Sequence, residues 1–82
     1  MDIELKYVVT DENDFAMFSK LSNHNDVARG LYGTPVGAGF CNLRQKVDSE
    51  DVSVNCYGRS ISLGIKSREE DELVINRKIN HD

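Results

Sequence analysis

The chain has 82 residues and a formal net charge of −4, from ten Lys and Arg against fourteen Asp and Glu. That length leaves room for a single domain over residues 1–82, with a thin core that covers only about 60% of the unfolded surface. The acidic balance excludes the broad positive field that sequence-independent binding to nucleic acid or anionic membrane requires. No apolar run approaches the roughly 20 residues of a bilayer span, and no signal-type leader is present, so a cytoplasmic location without membrane contact is expected. A homo-oligomer would be an ordinary way for so small a domain to bury more apolar surface.

Ile3, Leu5, Tyr7 and Val9 alternate with Glu4, Lys6 and Val8, which predicts a first strand with one buried face. Asp11-Glu12-Asn13-Asp14 supplies N-cap candidates and first-turn acids. Phe15, Phe18 and Leu21 follow at helical spacing with Met17 beside them, so a helix is expected over about 12–22. Ser22-Asn23-His24-Asn25-Asp26 is a run of cap and turn formers. The helix is expected either to end there or to kink and resume at Val27-Ala28-Arg29 before Gly30. Gly30 to Gly39 holds four of the six glycines and the only proline, Pro35; this is a glycine-rich turn feeding a strand, without the lysine or spacing of a P-loop.

Phe40–Val47 and Val52–Ile65 are rich in β-branched and aromatic residues and flank the turn chemistry of Asp48-Ser49-Glu50-Asp51. They predict an antiparallel hairpin over about 36–65. Pairing Val47 with Val52 would set Cys41 opposite Gly58 and Cys56 opposite Leu43, making the cysteines near-diagonal neighbours. Within the second strand Val52, Val54 and Cys56 share one parity while Ile61, Leu63 and Ile65 share the other. The buried face must switch at Tyr57-Gly58-Arg59-Ser60, the pattern of a β-bulge that borders a site. Beyond it, Ser67-Arg68-Glu69-Glu70 reads as a capping box and favours a helix over 68–79, although Leu73, Ile75 and Ile79 also fit a further strand. The expected architecture is α+β, in the order β-α-β-β followed by a helix or a strand.

Little in this chain spells out a catalytic constellation. Cys41 and Cys56 do not form a C-x-x-C pair, and with only His24 and His81 beside them no zinc set is expected, nor a cofactor. His24-Asn25-Asp26 could pair an imidazole with an orienting carboxylate for proton transfer, making His24 the catalytic candidate; the same triplet also serves as a helix cap and turn. Seven of the ten basic residues lie from Arg44 onward, either as a solvated strand face or as a local patch for phosphate or an acidic partner.

Lys6-Tyr7-Val8, Phe15-Ala16-Met17-Phe18, Gly37-Ala38-Gly39 and Tyr57-Gly58-Arg59-Ser60-Ile61-Ser62-Leu63-Gly64 follow one another in order. The series resembles the Janus/Ocnus family of protein-histidine phosphatases, whose pattern includes a Lys-Tyr-Val strand, an aromatic-Ala-x-aromatic helix, a glycine-rich turn and a Tyr-Gly-x-Ser-x-x-x-Gly element. The resemblance implies phosphate handling, with Lys6, Ser60 and Ser62 as anion contacts and Gly37, Gly39, Tyr57, Gly58 and Arg59 around them. The family histidine directly follows the aromatic element; that position here is Ser19, and His24 lies five residues further on.

Three functions are therefore expected as alternatives. The first is a small binding or regulatory protein that acts through a protein partner, for instance an inhibitor of the kind phages and mobile elements encode. The second is a phosphohistidine phosphatase-like enzyme. The third is a binder of a small phosphorylated ligand or nucleotide.

Overall fold

A computed structural model describes residues 2–45, 47–48 and 52–80; Lys46, the turn residues Ser49–Asp51 and the second histidine, His81, lie outside the described residues. The elements are β1 (Asp2–Thr10), β2 (Phe15–Phe18), α1 (His24–Ala28), β3 (Pro35–Gln45), β4 (Val52–Tyr57), β5 (Arg59–Ser60), β6 (Ile65–Lys66) and α2 (Glu69–Ile79). Four strands form one antiparallel sheet in the order β2-β1-β3-β4, and β5 with β6 forms a separate two-stranded ribbon. The fold is α+β, as the alternation of strand and helix signals predicts.

The sheet is covered on both faces, which changes the expectation for β1. Tyr7, Val8 and Val9 are all fully buried, because Tyr7 and Val9 pack towards α2 in a cluster with Cys41, Val54 and Ile75. Val8 faces the other way, against Ala28 and Ala38, with Leu63 and Ile65 of the ribbon region closing that second cluster. Two thin cores on opposite faces replace the single one that simple alternation implies.

The helix expected over 12–22 is not formed; residues 15–18 are strand β2, paired with β1 through Lys6↔Phe18, Tyr7↔Met17, Val8↔Ala16 and Val9↔Phe15. Phe15 and Met17 join the α2-side cluster and Phe18 the opposite one, a period of two rather than 3.6. Leu21, the third member of the supposed helical stripe, is 97% exposed. The acidic run makes a hairpin turn instead of a helix start. Asn13 takes a left-handed φ of 59°, which Asn tolerates. Thr10 Oγ1 accepts from the amides of Glu12 and Asp14 and donates to the Tyr32 carbonyl at 2.6 Å. Helix α1 starts afresh at His24, with Asn23 as N-cap accepting from the Asn25 amide at 2.8 Å.

The β3–β4 hairpin forms, but two residues out of the expected register: Gln45, not Val47, pairs with Val52. Cys41 therefore stands directly opposite Cys56. The amides of Val52, Val54 and Cys56 point away from β3 to side chains of α2, so Cys41 and Cys56 form a non-hydrogen-bonded pair, in which Cα atoms approach to about 4.5 Å. That spacing falls within disulfide reach, yet the two thiols are free. Burial above all raises Cys41 to about 11 and Cys56 to about 12, so neither is a thiolate nucleophile near neutral pH.

Helix α2 resolves the ambiguity at the end of the chain in favour of a helix. Its N-cap is Arg68, and the reciprocal carboxylate is Asp71, which accepts from the Arg68 amide at 2.9 Å; the frame is one residue later than the Ser67–Glu70 box. The helix does more than pack Ile75 onto the sheet. Glu72 accepts from the Cys56 amide at 2.6 Å. Asn76 accepts from the Val54 amide at 2.8 Å and donates to its carbonyl at 2.9 Å. Asn80 does the same for Val52, at 3.0 and 2.8 Å. Four helical residues advance roughly 6 Å and two strand residues roughly 6.7 Å, so side chains at i, i+4 and i+8 stay in step with every second residue of β4. The helix thereby occupies the strand's open edge.

Strand β4 does not run on to Ile65. It ends at Tyr57; Gly58 takes φ 78°, and a Cβ there would crowd the Phe40 ring at 3.1 Å. The chain crosses to the other face of the sheet, where Leu63 and Ile65 pack against Val8 and Ala38. The parity break thus marks a change of layer, not a bulge within one continuous strand.

Candidate functional site: a cationic cleft beside the ribbon

The residue types on the α1 face of the sheet follow from parity. Lys6 shares its face with Val8, and its register partners are Phe18 on one side and Phe40 on the other. Its ammonium donates to the Ser22 carbonyl at 2.8 Å, which keeps it on that face. His24, the first residue of α1, is brought over the same ground. Its ring meets Phe18 and Phe40 edge-on, at centroid distances of 5.4 and 6.2 Å. Nε2 lies 2.8 Å from the Gly39 carbonyl oxygen; a carbonyl only accepts, so Nε2 carries the proton and Nδ1 is the acceptor nitrogen of the neutral ring.

The pKa of His24 is lowered, chiefly by burial, with the Lys6 ammonium adding to the effect against the raising influence of the Gly39 bond. An unfolded imidazole gains its proton near pH 6.5 and the folded one resists it. Stability is therefore complete above about pH 6.5 and declines as the pH falls through the folded pKa. Urea unfolding at pH 7.5 and 5.5 is expected to show this loss, and His24→Gln to flatten it; an equal pH dependence in both proteins would exclude His24 as its source.

Lys6, His24, Gly58, Arg59 and Ser62 line one cleft of about 440 Å³, together with Asn23, Phe40 and Ile61. No acidic side chain is in its wall. Among the described residues, neither Lys6 nor Arg59 has a carboxylate within ion-pair distance. A second cleft of about 690 Å³ lies beside it, with Val36, Ile61 and Ile65 among its apolar residues and Arg59, Lys66 and Arg68 as cations. Arg59 and Ile61 belong to both clefts.

The other expected site residues stand apart from this cleft in informative ways. The Tyr57 ring stacks on Phe40 at 6.1 Å, and its hydroxyl donates to Glu4, whose other oxygen holds Lys20 at 2.8 Å. Ser60 is buried; its Oγ accepts from the Leu63 amide at 3.2 Å and lies 3.3 Å from the Ser62 hydroxyl, so it shapes the turn. Gly39 positions His24 through its carbonyl, and a Cβ on it would meet the Tyr57 backbone carbonyl oxygen at 2.5 Å. Gly37 is on the opposite face, where a Cβ would overlap the Asp71 carboxylate.

That carboxylate is the centre of a cluster that the sequence pattern does not announce. Asp71 is fully buried and accepts from the Tyr7 hydroxyl at 2.6 Å, the Arg68 amide at 2.9 Å, and Arg68 Nε and Nη2 at 2.9 and 2.7 Å. Burial and the bond to Asp71 push the Tyr7 phenol far above its ordinary range, so it remains a donor. With every bond made, the cluster is a closed lock rather than a site. Asn23, Phe40 and Ile61 in this cleft and Val36, Gly64, Ile65, Lys66 and Arg68 in its neighbour were not among the expected site residues; Phe40 reaches Lys6 by strand pairing, Asn23 as the N-cap of α1, and Ile61 through the change of layer at Gly58. Among the described residues, no group of three or more His, Cys, Asp or Glu is placed to hold a metal ion, and no helix is long and apolar enough to cross a membrane. In comparisons with known proteins the chain gives no significant match to any family model, curated protein or solved structure, so its function has to be argued from this geometry.

Proposed function

We propose that the chain is a small binding and regulatory module that takes a phosphoryl-bearing ligand in the Lys6–His24–Arg59 cleft. The observation that carries this reading is the convergence of Lys6, His24, Gly58, Arg59 and Ser62 on one cleft without an acidic side chain in its wall. Cations held without a counter-ion against a low-dielectric wall attract an anion more strongly than the same groups in open water. Ser62 adds a hydroxyl of the kind that donates to phosphate oxygens. A protein partner draws less support, since the most exposed large apolar side chains, Leu21, Tyr32, Val47 and Ile61, lie in four separate connecting segments and Leu73 on α2, as is ordinary for a protein surface.

Titration with inorganic phosphate, followed by amide and side-chain NMR shifts, tests the reading. Shifts are expected at Lys6, His24 and residues 58–62, with Lys6→Gln and Arg59→Gln each weakening binding about tenfold, or about 1.4 kcal/mol. Absence of cleft shifts at millimolar phosphate would remove the proposal. Release of phosphate from a phosphohistidine substrate, lost in His24→Ala, would replace it with the enzymatic alternative.

A further inference from the structure

The ribbon carries a feature that the first cleft does not explain. Arg59 and Lys66 are register partners across β5 and β6, and like charges directly opposite one another repel. Neither has a carboxylate within ion-pair distance among the described residues. Arg68, which also borders the second cleft, is committed to Asp71 at 2.7 Å. Arg59 and Lys66 are therefore the cations that an incoming anion can neutralise there. Ile61, 90% exposed, forms the lip between the two clefts, and the second cleft has an apolar floor in Val36 and Ile65.

Resting on the phosphoryl-binding reading above, we propose that the two clefts form one extended site for an organic ligand with two separated phosphoryl groups. One group lies between Lys6 and Arg59. The other lies between Arg59 and Lys66, and the organic body covers Ile61 and the apolar floor. Such a ligand neutralises both Arg59 and Lys66, whereas a ligand with a single phosphoryl group in the first cleft reaches only Arg59 of that pair.

Calorimetric titration with adenosine 3′,5′-bisphosphate, AMP and inorganic phosphate separates the possibilities. The bisphosphate is expected to bind at least tenfold more tightly than AMP, and Lys66→Gln to abolish that advantage. The same variant is expected to keep or raise its thermal midpoint, because it removes a like-charge contact, so a lost advantage cannot be ascribed to unfolding. Equal affinity for bisphosphate and AMP, or an advantage that survives Lys66→Gln, would overturn the two-group site while leaving phosphate binding in the first cleft intact. If inorganic phosphate and AMP also fail to bind, the underlying reading falls with it.

Discussion

Replacing Asp71 with Ala is expected to destabilise the domain by about 3–5 kcal/mol, the cost of leaving a buried hydroxyl and a half-buried guanidinium without their acceptor. The loss falls on Arg68, which gives Asp71 three of its bonds, and on the Tyr7 hydroxyl. A chain of this length has roughly 4–12 kcal/mol in total at the usual 0.05–0.15 kcal/mol per residue, so the loss removes at least about a quarter of it. Gly37→Ala is expected to cost a comparable amount for the converse reason, since its methyl would enter the space that the carboxylate fills. The two losses should not add. Once Asp71 is Ala, the methyl at position 37 has room, and the double variant should be little worse than Asp71→Ala alone. Urea unfolding of all three proteins measures this; a fully additive double variant, or a single loss below about 1 kcal/mol, would contradict the lock.

Asn76→Ala should produce the second large effect, about 2–4 kcal/mol. Its amide group is the partner of both the Val54 N–H and C=O, and each orphaned buried polar group costs about 1–3 kcal/mol. Asn80→Ala, whose bonds to Val52 are exposed to water, should cost less. Hydrogen exchange localises the effect: the Val54 amide should lose protection in Asn76→Ala and not in Asn80→Ala. Unchanged exchange at Val54 would mean that the helix does not hold the strand edge.

Much of this organisation was legible in the residues. The alternation of Leu5, Tyr7 and Val9, the hairpin around Asp48 and the first-turn acids of the last helix all express local preferences that the fold keeps. Phe15–Phe18 is ambiguous in sequence because Phe15 and Phe18 satisfy a helical spacing as well as membership in an edge strand half-buried on both faces. What selects the strand is pairing with β1, a non-local contact that leaves Leu21 in water. The register of the cysteines was missed by two residues for a related reason: Gln45↔Val52 is coupled to the alignment of the β4 edge with Glu72, Asn76 and Asn80.

The cleft was partly legible. Lys6, His24 and the Gly58–Ser62 stretch could be nominated one by one, and their meeting depends on the layer change that the parity break only hinted at. Gly37 shows the limit of glycine patterns. A glycine signals that something comes close, and here the close neighbour is the protein's own Asp71. The opposition of Arg59 and Lys66 lay in plain sight as two basic residues, but it acquires meaning only once the ribbon register is known.

The Tyr7–Asp71 bond spans 64 residues, and the final rung on β4 uses Asn80. Synthesis proceeds from the N-terminus, so strand β1 must wait for α2 before its phenol is satisfied and the edge of β4 is occupied. A nascent or truncated chain ending before α2 would carry a hairpin with an open edge, a tyrosine hydroxyl without its acceptor and an apolar face with no cover. The integrity of the sheet is therefore tied to α2: the same helix covers one face, accepts the Tyr7 phenol and occupies the β4 edge, so undocking it exposes all three at once.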